Sequence, residues 1–238
     1  MVKNPMTYYS SDWHLNHWNG YRGIISFERT QFKTIEEHDQ YILNLAQEWA
    51  KKWAIGSTLW FLGDFGNIQY LWIFDVFRSM GHEVHFLYGN HDSLGDYDEI
   101  QRYVDYVHLY PVYLSQKLIV SHYPVAVYKD SINVCGHLHG AKLSDPNHLV
   151  ASIHVADYKP ITQKNLDSTF ANLPKFNRRF LYEPYAEDYM FIQPKEDVIM
   201  DRDGRIDLSA SRMLQRANIE VRKRKGDSYI PYNGEGEF

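Results

Sequence analysis

The residues with the clearest capacity for chemistry lie in residues 87–92, Leu-Tyr-Gly-Asn-His-Asp, where an apolar, β-prone run stops. A strand that ends in a glycine and polar residues places those side chains at the edge of a sheet. Asn90, His91 and Asp92 could bind a metal ion or transfer protons there. They could also simply cap a helix that begins near Tyr97. This stretch alone does not distinguish the two interpretations.

Polar clusters of the same kind follow four other apolar runs. They are Ser11-Asp12-Trp13-His14, Gly63-Asp64-Phe65-Gly66-Asn67, Ser121-His122-Tyr123-Pro124 and Gly136-His137-Leu138-His139-Gly140. Side chains at positions i and i+2 of an extended segment share a face, so Asp12 and His14 can turn toward one point. His137 and His139 have the same spacing. A cap could explain one such pair, but five clusters at strand ends favour a shared site.

The segments between the clusters predict an α/β fold. Residues 35–53 have the i, i+3, i+4 spacing of an amphipathic helix, and Thr34 followed by Glu37 is a capping-box signature. Residues 70–80 predict a second helix, which Gly81 ends. A strand, a helix and a strand with polar residues after each strand form the βαβ pattern, whose active edge is at the carboxyl ends of the strands.

The candidate side chains are a mixture of oxygen and imidazole donors. They are Asp12, His14, Asp64, Asn90, His91, His122, His137 and His139. Such a mixture suits two borderline divalent ions, such as manganese, iron or zinc, better than magnesium or calcium. One bridging carboxylate can hold two ions about 3.5–4 Å apart, a spacing that is useful for hydrolysing phosphate esters.

The five motifs lie across residues 6–160, and in type and order they resemble those of the calcineurin-like metallophosphoesterases. The loop of residues 16–32, the later Asp39 and the segment Tyr158-Lys159-Pro160 resemble a small bacterial and phage branch of that family. The resemblance implies a four-layer αββα sandwich for residues 1–162. It leaves residues 163–238 as a C-terminal extension packed on that domain.

The resemblance also implies a role for each motif residue. The implied ligands are Asp12, His14, Asp64 and His139 for one ion, and Asp64, Asn90, His122 and His137 for the other. A hydroxide that bridges the two ions would be the nucleophile, and His91 would be the general acid. Many members have an aspartate three residues after the bridging one to orient this histidine. This chain has Asn67 there, so Asp92 or a backbone carbonyl is expected to orient His91 instead.

The expected function is hydrolysis of a phosphate ester with two divalent ions, Mn²⁺ first and iron, zinc or nickel as alternatives. The expected substrate is a phosphodiester of nucleotide type. His17, Asn19 and Arg29 are candidate substrate contacts, and Arg29 is the best because its planar fork matches phosphate oxygens. Ordinary loop hydrogen bonding is the competing interpretation. Other hypotheses are a phosphomonoesterase, a nuclease or end-processing enzyme on nucleic acid, and a non-catalytic binding module on the same fold.

Composition limits the partners and the compartment. A formal net charge of -5 argues against attraction of the whole protein to nucleic acid, although the basic run Arg222-Lys223-Arg224-Lys225 leaves a local contact open. The single cysteine, Cys135, excludes an intramolecular disulfide framework. No apolar run approaches the roughly 18 residues that cross a membrane, and the first residues have no apolar signal core. A cytoplasmic protein is therefore expected.

The remaining elements are predicted from shorter patterns. Strands are expected at residues 117–120, 132–135 and 150–155, with His154 as a strand histidine and not a ligand. Residues 166–176 have loose helical spacing. Residues 197–205 predict two short strands around an Asp-Gly turn, residues 206–221 a short helix, and residues 233–238 a frayed tail.

Overall fold

The structure, a computed structural model, describes residues 4–17, 29–139, 146–173, 222–225 and 228–231. These residues form two mixed sheets, four helices and a separate antiparallel strand pair, which confirms the predicted α/β class. The strands are β1 (Thr7–Ser10), β2 (Thr58–Phe61), β3 (Glu83–Leu87), β4 (Tyr106–His108), β5 (Val112–Ser115), β6 (Leu118–Ser121), β7 (Ile132–Cys135), β8 (His148–Val150), β9 (Ile161–Thr162), β10 (Arg222–Lys225) and β11 (Ser228–Pro231). The helices are α1 (Ile35–Lys52), α2 (Trp72–Ser79), α3 (Tyr97–Tyr103) and α4 (Gln163–Asn172).

Parallel pairing brings the polar clusters to common edges. The first sheet has the strand order β4-β3-β2-β1-β9, with β1 to β4 parallel and β9 antiparallel to β1. The second sheet has the order β5-β6-β7-β8, in which β6, β7 and β8 are parallel. Because parallel strands end at the same edge, the clusters after β1, β2 and β3 meet on one sheet, and those after β6 and β7 meet on the other.

Helix α1 begins where its sequence predicts. The side chain of Thr34 accepts a hydrogen bond from the Glu37 backbone N–H, which is half of a capping box. The Glu37 carboxylate accepts from the Lys33 N–H, and not from the Thr34 N–H as a complete capping box requires. Helix α2 is shorter than predicted because a 3₁₀ turn, Ile68–Tyr70, precedes it, and the Asn67 side chain caps that turn.

Two apolar cores fix the layers. One lies between helices α1 and α2 and the first sheet, and it includes Ile42, Trp49, Phe74, Phe61 and Phe86. The other contains buried side chains from both sheets, namely Tyr9, Trp60, Leu62 and Leu87 from the first and Val120, Ile132 and Val134 from the second. The two sheets therefore pack on each other, and burial of these apolar side chains is the main force that holds them together.

The structure differs from the sequence-based prediction in two segments. A strand was expected at residues 150–155, but β8 ends at Val150 and turns follow, in which Asp157 and Tyr158 have positive φ angles of 54° and 53°. These left-handed residues reverse the chain so that the Tyr158 N–H donates to the Ile153 carbonyl at 2.7 Å. The basic run Arg222–Lys225, for which no strand was predicted, is strand β10, paired with β11.

Residues 166–176 were expected to be helical, but helix α4 spans Gln163–Asn172. It begins earlier because Thr162 and Asn165 form a capping box at its start. The predictions for residues 197–205, 206–221 and 233–238 lie outside the described residues. Within the described ranges, no helix is both long and apolar enough to cross a membrane.

Candidate metal centre

Several candidate ligands lie in an uncommon backbone conformation. Asp12, His14, Asp64 and His137 have φ angles of 58°, 50°, 58° and 66°. Left-handed φ angles are found in only a few per cent of non-glycine residues, and each costs of order 1–3 kcal/mol unless the surroundings hold it. Here, as at many functional sites, local strain accompanies residues that must point in one direction.

Backbone pairing continues past the strand ends and holds these loops. The Asp12 N–H donates to the Gly63 carbonyl at 2.8 Å, and the His14 N–H donates to the Asp64 carbonyl at 3.0 Å. Glycines allow the loops after β2 and β3 to approach closely: a Cβ atom at Gly89 would lie 2.2 Å from the Asp64 Oδ1 atom. A side chain at Gly89 would therefore displace Asp64.

One group of candidate ligand atoms comes from Asp12, His14, Asp64 and His139, and all its atoms lie within 4.8 Å of one another. The Nε2 atom of His14 lies 3.2 Å from that of His139 and 3.5 Å from the Asp64 Oδ2 atom. The His139 Nε2 atom lies 3.4 Å from the Asp12 Oδ1 atom. These are the residues that the family resemblance assigns to the first ion.

A second group comes from Asp64, His122 and His137, again within 4.8 Å. The Asn90 Oδ1 atom lies 3.0 Å from both the His122 Nε2 atom and the His137 Nδ1 atom. The His122 Nε2 atom lies 3.5 Å from the Asp64 Oδ2 atom. Asp64 thus belongs to both groups, as expected for a bridging ligand, and the seven predicted ligands come from the ends of strands in both sheets.

The Oδ2 atom of Asp64 gives a test of whether these donors fit metal ions. Asp64 is fully buried, and this oxygen has no hydrogen-bond partner among the described residues. Its Oδ1 atom accepts from the His91 N–H at 2.8 Å. Burial raises the pKa of Asp64 to about 8, despite the opposing effect of His122. A buried carboxylate oxygen without a donor is costly, and a bound cation would remove that cost.

Hydrogen bonds hold both oxygens of the Asp12 carboxylate. Its Oδ2 atom accepts from the hydroxyl of Ser152 at 2.6 Å and from the hydroxyl of Ser11. The His137 N–H donates to both oxygens at 3.1 Å, and the Oδ1 atom also lies 3.4 Å from the His139 Nε2 atom and 3.9 Å from the His14 Nε2 atom. Burial acts to raise the pKa of Asp12, but nearby imidazoles and the two serine hydroxyls lower it overall. The sequence assigns no role to either serine, and Ser152 reaches the site from 140 residues away in the chain.

His122 is oriented toward the site by its other ring nitrogen. The His122 Nδ1 atom lies 2.8 Å from the Leu62 carbonyl, which only accepts, so Nδ1 is protonated and Nε2 presents a lone pair to the site. Burial lowers the pKa of His137 to about 4 and that of His139 to about 3. Both rings are therefore neutral near pH 7, and only a neutral imidazole binds a metal ion.

His154, predicted to be a strand histidine, contacts both the ring and the backbone of His139. The two rings stack with centroids 5.3 Å apart and an interplanar angle of 15°, and His154 Nε2 donates to the His139 carbonyl. This contact depends on the turn after β8 that the sequence did not predict.

The predicted general acid and one predicted substrate contact lie beside the ligand groups. The His91 ring centroid is 5.2 Å from that of His14 and 4.7 Å from that of His17. The His17 Nδ1 atom lies 2.8 Å from the His14 Nδ1 atom. His17 therefore orients a candidate ligand and also adjoins His91.

Asp92 and Arg29 bond to the backbone of the loops at the site. The Asp92 carboxylate accepts three backbone N–H groups, those of Asp64, Phe65 and Gly89, so it holds together the loops that follow β2 and β3. Arg29 is fully buried and donates to the backbone carbonyls of the loop after β1. These bonds match the competing interpretation, ordinary loop hydrogen bonding. Asn19 lies outside the described residues.

Comparisons with known proteins show the fold alone. No protein-family model matches the chain, and no curated protein matches it. Among solved structures, it is similar to the crystal structure of a protein of unknown function from Aquifex aeolicus, with a TM-score of 0.54 and 21% sequence identity. That match covers 69% of this chain and 99% of the other.

Proposed function

We propose that this chain hydrolyses phosphate esters with two divalent metal ions, Mn²⁺ first. The observation that carries the proposal is the position of the Asp64 Oδ2 atom, which lies 3.5 Å from the Nε2 atoms of both His14 and His122 and has no described donor. One oxygen shared by two groups of imidazoles and carboxylates is the arrangement that a bridged pair of ions requires.

The donor types support the assignment of the ligands. Asp12, His14, Asp64 and His139 would hold one ion, and Asp64, Asn90, His122 and His137 the other. Such ions, when bound, supply a nucleophile from water at neutral pH and offset charge on the phosphoryl oxygens. The residues of the chain fix the two positions: Ser11 and Ser152 hold Asp12, and the Leu62 carbonyl holds His122.

His91 would act as the general acid. Its ring adjoins His14, and its backbone N–H holds the Oδ1 atom of Asp64, so the ring lies next to the place where a phosphoryl group would bind. An ordinary imidazole can donate a proton to a leaving group near neutral pH.

The proposed architecture is the four-layer αββα sandwich of the calcineurin-like metallophosphoesterases. The packed pair of sheets, with α1 and α2 on the outer face of the first sheet, supports it. Residues 1–162 would form this domain, and residues 163–238 an extension. The proposed substrate is a phosphodiester of nucleotide type.

Metal content and turnover, measured on the same sample, test the proposal. The purified chain is stripped of metal, reconstituted with Mn²⁺ and assayed against bis-p-nitrophenyl phosphate and p-nitrophenyl phosphate. About two ions per chain with turnover of the diester would support it. Preference for the monoester would redirect the proposal to a phosphatase. Failure to bind Mn²⁺ would refute it, and two ions without either activity would favour a binding module.

A polynucleotide is the alternative substrate, and strand β10 favours it because its four residues are all basic. Contacts between basic residues and phosphates weaken steeply with salt. Oligonucleotide binding that weakens with salt and is lost when residues 222–231 are removed would support this alternative. Binding that is unchanged by the deletion would exclude a role for β10.

A further inference from the structure

The loop after β1 has backbone groups that ordinary strand pairing does not satisfy. Asp12, His14 and Asn16 all have left-handed φ angles, between 50° and 58°. The N–H groups of Asp12 and His14 pair with the loop after β2, whereas the carbonyls of Asp12 and Trp13 and the N–H of Asn16 bond to side chains. Buried backbone groups need partners, because each unpaired group costs free energy comparable to a lost hydrogen bond. Side chains from outside the loop supply those partners.

Arg29 supplies the donors. Its Nη1 atom donates to the Trp13 carbonyl at 2.9 Å, and its Nη2 atom donates to the Asp12 carbonyl. The side chain is fully buried. The planar guanidinium group of arginine can donate to two neighbouring carbonyls at once. The single ammonium group of lysine would do so with less defined geometry.

His38 holds the guanidinium in place. Its Nε2 atom lies 2.6 Å from the Arg29 Nη1 atom, and its Nδ1 atom lies 2.9 Å from the Asp39 Oδ1 atom. Arginine only donates, so His38 accepts at Nε2 and carries its proton on Nδ1, which donates to Asp39. Burial, the largest influence, and the charge of Arg29 lower the pKa of His38, although Asp39 opposes them.

Asp39 bonds to the same loop. Its Oδ2 atom accepts from the Asn16 N–H at 2.8 Å. The chain of contacts therefore runs from the carbonyls of Asp12 and Trp13, through Arg29, His38 and Asp39, to the N–H of Asn16. It spans the loop on either side of His14 and encloses the backbone of both ligands that this loop contributes.

We propose that Arg29, His38 and Asp39 form a clamp that positions Asp12 and His14 for the first metal ion. This inference rests on the proposed metal centre. The clamp residues are positioning residues, because their described bonds go to the loop backbone and to one another. A purely structural role would lower the stability of the fold and leave the affinity of the folded protein for metal unchanged.

The variant His38→Leu tests the clamp in the full chain. Leucine retains apolar contact with Phe32, whose ring centroid lies 5.2 Å from that of His38, but removes both hydrogen bonds. The variant His38→Gln keeps an acceptor for Arg29. The matched control is His82→Leu, because His82 is also a buried histidine, 4% exposed, and its Nε2 atom bonds to the Ala50 carbonyl away from the site.

Calorimetric titration of the metal-free proteins with MnCl₂, together with their melting temperatures, gives the readout. We expect His38→Leu to weaken one of two binding events by about 10–100-fold, as loss of an outer partner of a metal ligand commonly does. His38→Gln should lose less. His82→Leu should lower the melting temperature and retain both affinities.

The outcomes separate this inference from the proposed function. If the wild-type chain binds no Mn²⁺, both are refuted. If it binds two ions and His38→Leu binds both with wild-type affinity, or if His82→Leu weakens them equally, the clamp is refuted and the metal centre stands. Should His38→Leu fail to fold, Arg29→Lys replaces it. Lysine keeps the positive charge but lacks the planar guanidinium group that donates to two carbonyls. Wild-type affinities for Mn²⁺ in Arg29→Lys would therefore overturn the clamp.

Discussion

The Asp92 carboxylate accepts a 2.8 Å hydrogen bond from the backbone N–H of Asp64, which lies 28 residues earlier in the chain. The same carboxylate accepts from the N–H groups of Phe65 and Gly89. One buried side chain therefore connects the loops that follow β2 and β3. Since Asp64 is common to both groups of candidate ligands, Asp92 sets the position of the residue on which the proposed site depends.

Replacing Asp92 by asparagine should destabilise the fold. An amide nitrogen in place of one carboxylate oxygen cannot accept, so at least one buried backbone N–H loses its partner, at a cost of about 1–3 kcal/mol. Urea denaturation of the metal-free protein would measure this loss. The exposed Asp98→Asn serves as the control, with an expected change of about 0.5 kcal/mol or less. Equal effects of the two substitutions would contradict the bridging role of Asp92.

Asp64→Asn should reduce metal binding at both positions, whereas His137→Ala should reduce it at one. Asp64 provides the oxygen that both groups share, and His137 belongs to the second group only. Elemental analysis after reconstitution with Mn²⁺ would show less than one ion per chain for Asp64→Asn and about one for His137→Ala. If both variants lost the same amount of metal, the two groups would not be separate sites.

His91→Ala should retain the metal ions and lose most turnover. General acids contribute about 10²–10⁴-fold, and the loss should be greater for a diester with an alkoxide leaving group than for one that releases p-nitrophenolate. Turnover and metal content would be measured on the same samples. The control is His85→Ala in the middle of β3, whose ring bonds to His108 and Glu83 outside the site. Full activity of His91→Ala on both diesters would exclude the assigned role.

His154→Gln should make the stability of the metal-free protein less sensitive to acid. Burial, with a smaller effect of the Arg29 charge, lowers the pKa of His154 to about 4, whereas an unfolded histidine titrates near 6.5. Between these values the unfolded state binds more protons, so this histidine makes stability fall as the pH is lowered from about 6.5 toward 4. Glutamine retains a donor for the His139 carbonyl but does not titrate.

Melting temperatures of the wild type and His154→Gln at pH 7.5 and pH 5, with a chelator present, would measure this effect. The decrease should be smaller in the variant. An equal decrease would show that His154 is not protonated on unfolding in this range.

The strand ends could be predicted from sequence because a strand stops where its apolar run stops. The glycines and polar residues after β2, β3 and β7 mark those points. Parallel pairing then brings Asp64 near Asn90 in the first sheet and His122 near His137 in the second, and packing of the two sheets brings these pairs together. The start of α1 was equally predictable, since Thr34 and Glu37 act within a single turn. In each case the local pattern contains the physical cause.

The partners of the ligands could not be predicted, because they act across long separations in the chain. Nothing next to Ser152 indicates that its hydroxyl reaches Asp12. The charge and loop position of Arg29 are visible in the sequence and suggest a phosphate contact, whereas its complete burial is not visible there. The left-handed conformations of Asp12 and His14 were likewise hidden, since aspartate and histidine adopt other conformations more readily.

The origin of the candidate ligands in both sheets has a mechanical consequence. Asp64 follows a strand of the first sheet, whereas His122 and His137 follow strands of the second. An ion held by all three would act as a cross-link between the sheets, in addition to their apolar contacts and the hydrogen bonds that join them. Removal of metal would then do more than stop a reaction: hydrogen exchange at the facing strand ends would accelerate, and the two sheets would no longer unfold as one unit.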